Sequence, residues 1–173
     1  MRSSTFLAAL VAFIPSLAGA QSKSAPDTSA IVAARATWRT VEDGVRSGAL
    51  ARRDTTFECE ENGPPGEQTF STFRDSTGVV RLLHLQVGSD HVAINERQYY
   101  DAGGKLRFAF LEMGADNGTR YEERAYWNDR GEIVRRVEKL LAGPGRGTEL
   151  VEAIPDPVAY IATFCEPRKE PKR

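Results

Sequence analysis

The chain has 173 residues, with 23 Lys and Arg side chains against 24 Asp and Glu, and a formal net charge of −1. Nucleic-acid binding needs a basic excess that this composition lacks, so we expect no nucleic-acid partner. The length is that of a single domain that can bury a sizeable hydrophobic core.

The first 20 residues have the layout of a secretory signal peptide. Arg2 precedes a short apolar run, and Ala18-Gly19-Ala20 precedes Gln21, which predicts cleavage between Ala20 and Gln21. The apolar run is too short to span a bilayer, and no later stretch reaches that length. We therefore expect an exported protein, periplasmic or extracellular, whose mature chain has no membrane span.

The composition of the mature chain predicts three regions. Residues 21–28 predict a flexible lead-in, residues 29–165 a single α+β domain, and the charged, proline-rich residues 166–173 a disordered tail. The domain starts with a helical pattern, in which Thr28 or Ser29 is expected to cap the start and Gly48 to end the helix. Its apolar stripe comprises Ile31, Ala34, Trp38, Val41 and Val45.

From Arg52 onward the hydrophobic period changes to two, which predicts strands. The stretch TTFECEE predicts the first strand, and turn signals place others near 67–74, 79–87, 92–101, 105–113, 119–128, 132–141 and 148–154. The expected fold is α+β: an N-terminal amphipathic helix packed on an antiparallel β-meander of about seven strands. Asp156 and Pro157 predict a helix start, although alternation there also permits a strand.

Three nine-residue stretches share one pattern: FRDSTGVVR (73–81), YYDAGGKLR (99–107) and YWNDRGEIV (126–134). Each has an aromatic residue first, Asp or Asn third, Gly sixth and an aliphatic residue eighth. The pattern predicts hairpin corners in which the Asx side chain starts a type I turn and Gly closes a bulge. We expect the aromatic and aliphatic positions to pair across the two strands. These stretches resemble the tyrosine-aspartate hairpin repeats of large bacterial surface and toxin-associated proteins, a resemblance that implies turn geometry and no function.

The two cysteines, Cys59 and Cys165, are far apart in the sequence. In an oxidising compartment this spacing predicts one disulfide that joins the first strand to the C-terminal segment.

The sequence contains no recognisable catalytic, metal or cofactor motif. His84 and His91 have no partners at metal-ligand spacing, and GPGRG (143–147) lacks the Lys-Ser/Thr of a phosphate loop. We therefore expect no catalytic or metal residues and no cofactor, and an enzyme is the least favoured class.

The aromatic side chains suggest two alternatives. They form a core under the helix, or part of the set lines a pocket for a small apolar ligand. The candidate lining residues are Trp38, Tyr99, Phe108, Phe110, Tyr121 and Trp127.

The strand 119–128 is expected to carry a solvated face of paired Glu and Arg side chains. The leading hypothesis is a non-catalytic binding or structural protein, which contacts an envelope or extracellular protein through this charged strand face. The alternative is a carrier that holds a small apolar ligand between the helix and a curved sheet.

Overall fold

The computed structural model describes residues 27–59, 66–145 and 153–164. One long helix, α1 (Thr28–Ser47), is followed by seven strands and a short helix, α2 (Pro157–Phe164). The strands pair in sequence order into one antiparallel sheet, so the structure confirms the α+β meander. They are β1 (Ala51–Cys59), β2 (Gly66–Arg74), β3 (Val80–Gly88), β4 (Val92–Tyr100), β5 (Leu106–Ala115), β6 (Arg120–Trp127) and β7 (Ile133–Ala142).

Several sequence predictions concern residues outside the described ranges. These are the signal peptide and its cleavage at Ala20 and Gln21, most of the lead-in, and the tail 166–173. The side chain of Cys59 and all of Cys165 are likewise outside the description. The signal peptide, the tail and the disulfide therefore stay predictions.

The N-cap of helix α1 lies one residue before Thr28 and two before Ser29, the two predicted caps. Asp27 is the N-cap, and its Oδ1 accepts hydrogen bonds from the backbone N–H groups of Ser29 (3.1 Å) and Ala30 (3.3 Å). The prediction of Thr28 or Ser29 as the cap was wrong, because the carboxylate of Asp27 reaches the free N–H groups of the first turn. Gly48 ends the helix with φ of +74°, in the left-handed conformation expected of a C-cap.

The three repeated stretches form hairpin corners of one geometry. In the central corner, Oδ1 of Asp101 accepts hydrogen bonds from the backbone N–H groups of Gly103 (2.9 Å) and Lys105 (3.0 Å). Gly104 has φ of +76°, a conformation that costs glycine little. The Asx side chain therefore shapes each turn; the equivalent Asx–Gly pairs are Asp75–Gly78 and Asn128–Gly131.

The expected pairing of aromatic and aliphatic positions across these corners was wrong. Val80 pairs with Arg74 rather than with Phe73, and Leu106 pairs with Tyr100 rather than with Tyr99. A register shift lies at each corner, where the bulge adds one residue to one strand. Position eight therefore pairs with position two of the stretch.

The sheet is covered on both faces. On one face, called here the helix face, Val41 of α1 packs with Phe73, Leu82 and Tyr99. On the other, called the opposite face, lies a larger buried cluster that includes Phe70, Leu83, Tyr100 and Trp127. Tyr160 of α2 packs against this second cluster, with its ring centroid 6.2 Å from that of Phe70. The aromatic residues are therefore divided between the two faces.

Polar side chains are built into the opposite face. Glu123 is fully buried, and its Oε1 lies 3.1 Å from Nε of Arg136 on β7. Strand alternation places Glu123 with Tyr121, Ala125 and Trp127 inside the core. Burial, together with the carboxylates of Glu123 and Glu138, raises the pKa of Tyr121 to about 12.

The C-terminal segment closes the opposite face. The Tyr100 hydroxyl donates a 2.7 Å hydrogen bond to the Ile154 carbonyl, and the Ile154 N–H donates to Oε1 of Gln98 (3.2 Å). Asp156 caps α2 as predicted, accepting from the backbone of Val158 and Ala159. Residues 153 and 154, which end the predicted strand 148–154, are not in a strand, and the backbone N–H and carbonyl of Ile154 bond to side chains of β4 instead. Residues 148–152 lie outside the described ranges.

Candidate functional site: an aromatic groove between helix and sheet

A cavity of about 350 Å³ lies on the helix face, between α1 and strands β4 to β6. Its volume is in the range of small-molecule sites. We call it the aromatic groove, and it is lined by Ala34, Arg35, Trp38, Arg97, Tyr99, Phe108, Phe110, Arg124 and Tyr126.

Strand register explains why these side chains meet. Tyr99, Phe108 and Tyr126 pair directly across β4, β5 and β6, so they form one row on the sheet. The row two residues further along the strands contains Arg97, Phe110 and Arg124, again directly paired. Because side chains alternate between faces, both rows project toward α1.

The first row forms the apolar floor of the aromatic groove. Ring centroids are 5.6 Å apart for Tyr99 and Phe108, and 5.1 Å apart for Phe108 and Tyr126. Trp38 forms part of the wall on the helix side and remains 42% exposed, unlike Ala34 and Val41 of the same stripe, which are 1% exposed. A large aromatic side chain at the mouth of a cavity offers flat apolar surface to a ligand.

One hydrogen bond ties the floor to the helix. The Tyr99 hydroxyl donates to Oε1 of Glu42 on α1 at 2.7 Å. Burial and this carboxylate raise the pKa of Tyr99 well above its usual range, so the hydroxyl stays protonated at neutral pH.

The second row brings positive charge to the aromatic groove. The Cζ atom of Arg124 is 4.9 Å from the ring centroid of Phe110, and its Nη2 is 2.9 Å from Oε2 of Glu122. Arg124 is therefore held in place by a cation–π contact and an ion pair. Within the described ranges, Arg35 and Arg97 have no carboxylate at ion-pair distance.

The structure places the six candidate lining residues on different sides of the sheet. Trp38, Tyr99, Phe108 and Phe110 line the aromatic groove. Tyr121 and Trp127 are buried in the opposite face, 4% and 1% exposed.

The aromatic groove is also lined by five residues that were not among the predicted lining residues: Ala34, Arg35, Arg97, Arg124 and Tyr126. Strand alternation could have predicted two of these residues. Arg97 lies two residues from Tyr99, and Arg124 two residues from Tyr126, so each pair shares a face of the sheet. The register that aligns these pairs across three strands depends on the bulges, which alternation does not locate.

The second row continues toward β1 with polar side chains. Asp54, Ser71, His84 and Arg97 are consecutive cross-strand neighbours. His84 Nε2 bonds to Oδ1 of Asn95, and burial followed by the charges of Arg97 and Arg52 lowers the pKa of His84. Ser71 is fully buried and lies between Asp54 and His84, so this order of residues does not make an acyl-transfer triad.

A larger cavity, of about 540 Å³, lies at the far end of the sheet. Its lining includes the next row, with Asn95, Glu112 and Glu122, and the small residues Gly88 and Gly114. Gln86 and Glu112 are exposed, and α1 contributes no wall. The aromatic groove, with apolar walls from both the helix and the sheet, is the better-formed site for a small molecule.

Over the described residues, no group of three or more His, Cys, Asp or Glu side chains could hold a metal ion. None of the described helices is long and apolar enough to cross a membrane. Comparisons with protein-family models, curated proteins and solved structures found no match to this chain. Function must therefore be inferred from the site itself.

Proposed function

We propose that this protein is an exported, non-catalytic binding protein that carries a small ligand with a flat apolar body in the aromatic groove. The observation that carries the proposal is the cavity of about 350 Å³ enclosed by α1 on one side and aromatic strand residues on the other. The proposed export rests on the N-terminal sequence pattern alone.

The shape of the aromatic groove favours a small ligand over a protein partner. The site is concave, and its aromatic floor lies under the helix instead of on a flat strand surface.

Native mass spectrometry of the exported protein, purified from its own host, tests this function. The unmodified protein should carry a reproducible small-molecule mass that denaturation removes. In the Trp38→Ala variant, most of the protein should lack the added small-molecule mass, because the substitution removes part of the wall of the aromatic groove. Val32→Ala is the matched control on the same helix, since Val32 is 59% exposed and outside the aromatic groove.

Retention of the added mass by Trp38→Ala would place the ligand elsewhere and overturn the proposal. Absence of any added mass in all three proteins would count equally against it. Denatured masses from the same samples also test cleavage after Ala20 and the loss of two hydrogens expected for a Cys59–Cys165 disulfide.

A further inference from the structure

We infer that the ligand of the aromatic groove carries a carboxylate, so that its class is a flat, apolar monoanion. This inference rests on the proposed function and specifies the ligand class. It is carried by the three arginines of the lining, Arg35, Arg97 and Arg124.

The arginines come from three different elements and meet at one cavity. Arg35 belongs to α1, Arg97 to β4 and Arg124 to β6. Arg97 and Arg124 lie in one row, on either side of Phe110. An anion in the aromatic groove can therefore reach guanidinium groups while its apolar body contacts the aromatic floor.

The balance of charge favours one negative charge on the ligand. Glu122 pairs with Arg124, and Glu42 accepts the Tyr99 hydroxyl at the floor. Three guanidinium groups against these two carboxylates leave one positive charge at the site. Positive potential also acts along the row, because Arg97 contributes to the lowered pKa of His84.

The arginines differ in how free they are to bind. Arg124 is held by Glu122 and by the Phe110 ring, which fixes its position as part of the wall. Within the described ranges Arg35 and Arg97 have no carboxylate at ion-pair distance, so a bound anion does not have to displace a protein carboxylate from them. Arginine presents a planar fork that matches a carboxylate with two parallel hydrogen bonds. A half-buried guanidinium such as Arg97 is screened less by solvent than an exposed one.

A matched series of naphthalene probes tests the charge separately from the shape. The probes are 2-naphthoate, its neutral isostere 2-naphthamide, and the cationic 2-naphthylmethylammonium, titrated by calorimetry into the mature protein. We expect 2-naphthoate to bind about tenfold more tightly than 2-naphthamide, which corresponds to about 1.4 kcal/mol, and the cation to bind weakest. The preference should shrink as salt is added.

Variants then assign the preference to a residue. Arg97→Met should bring the dissociation constants of 2-naphthoate and 2-naphthamide close together, mainly by weakening the binding of 2-naphthoate. Arg39→Met is the control, because Arg39 is an exposed arginine on α1 outside the aromatic groove, and it should keep the preference.

The outcomes separate the two proposals. Equal binding of the anion and the amide to the unmodified protein would overturn the carboxylate inference and leave the aromatic groove as a binding site. An anion preference that survives Arg97→Met and Arg35→Met would also overturn the inference. Failure of all three probes to bind would contradict both the inference and the proposed function.

Discussion

The hydroxyl of Tyr99 donates a 2.7 Å hydrogen bond to Glu42, joining the centre of the sheet to α1 at the floor of the aromatic groove. Tyr99→Phe removes this bond and keeps the ring. We expect a loss of about 1 to 2 kcal/mol in the free energy of unfolding, because the acceptor is a carboxylate. Urea denaturation measures it.

Tyr126→Phe is the control for this stability measurement, since within the described ranges the Tyr126 hydroxyl makes no hydrogen bond. It should change the free energy of unfolding by less than about 0.5 kcal/mol. Equal losses in the two variants would show that the Tyr99–Glu42 bond contributes nothing specific.

The same tyrosine predicts a loss of stability in alkali. Burial raises the pKa of Tyr99 in the folded protein above the value of 10.0 expected for an unfolded chain. Above about pH 10 the unfolded state loses its proton first, so it binds fewer protons than the folded state and stability falls as pH rises. Each such tyrosine contributes a slope of up to about 1.4 kcal/mol per pH unit.

The unfolding free energy should therefore decline more steeply above pH 10 in the unmodified protein than in Tyr99→Phe. Parallel curves for the two proteins would contradict the assigned pKa shift. Below pH 10 the difference between them should stay constant, at the value set by the hydrogen bond.

The central hairpin corner predicts a substitution pattern at Gly104. Its φ of +76° strains most side chains, although a Cβ atom there would meet Val79 Cγ1 at an acceptable 3.7 Å. Gly104→Ala should cost about 1 to 2 kcal/mol through backbone strain. Gly104→Asn should cost less, since asparagine adopts this conformation more readily. Thermal melts of both variants measure the difference, and an Asn variant less stable than the Ala variant would count against strain as the cause.

The buried pair of Glu123 and Arg136 predicts non-additive energetics. Arg136→Met leaves the fully buried Glu123 carboxylate without its cation and should cost about 3 kcal/mol. Adding Glu123→Leu should recover much of that loss, because it also removes the buried carboxylate and leaves an apolar pair. A double-mutant cycle by chemical denaturation gives the coupling energy. Simple additivity of the two losses would mean that the pair is not coupled.

Local chemistry explains how much of the fold could be predicted. The Asx and Gly positions of the three repeats specify corners by hydrogen bonds within nine residues, so the meander could be read from the sequence. The exact cross-strand pairs could not, because each bulge shifts the register by one residue. The cap at Asp27 was missed since Thr28 and Ser29 are also good caps, and only the position of the first turn decides between them.

The residues of the aromatic groove could be predicted only in part, because strand register decides which side chains meet there. Aromatic residues on the strands could be recognised as a set, but the face on which each lies follows from register and from where α1 packs. Trp127 is adjacent to Tyr126 and lies on the opposite face. From the sequence, Arg97 and Arg124 resemble ordinary solvated strand residues. The strand register of the structure places them on either side of Phe110.

The two tryptophans allow the most direct test of ligand binding in the aromatic groove. Trp38 lines the aromatic groove, whereas Trp127 is 1% exposed on the opposite face. In a ¹H–¹⁵N correlation spectrum of the mature protein, assigned with Trp38→Phe, addition of 2-naphthoate should shift the Trp38 indole signal and leave the Trp127 signal in place. An unmoved Trp38 signal, or equal shifts of both signals, would contradict a ligand site between α1 and the sheet.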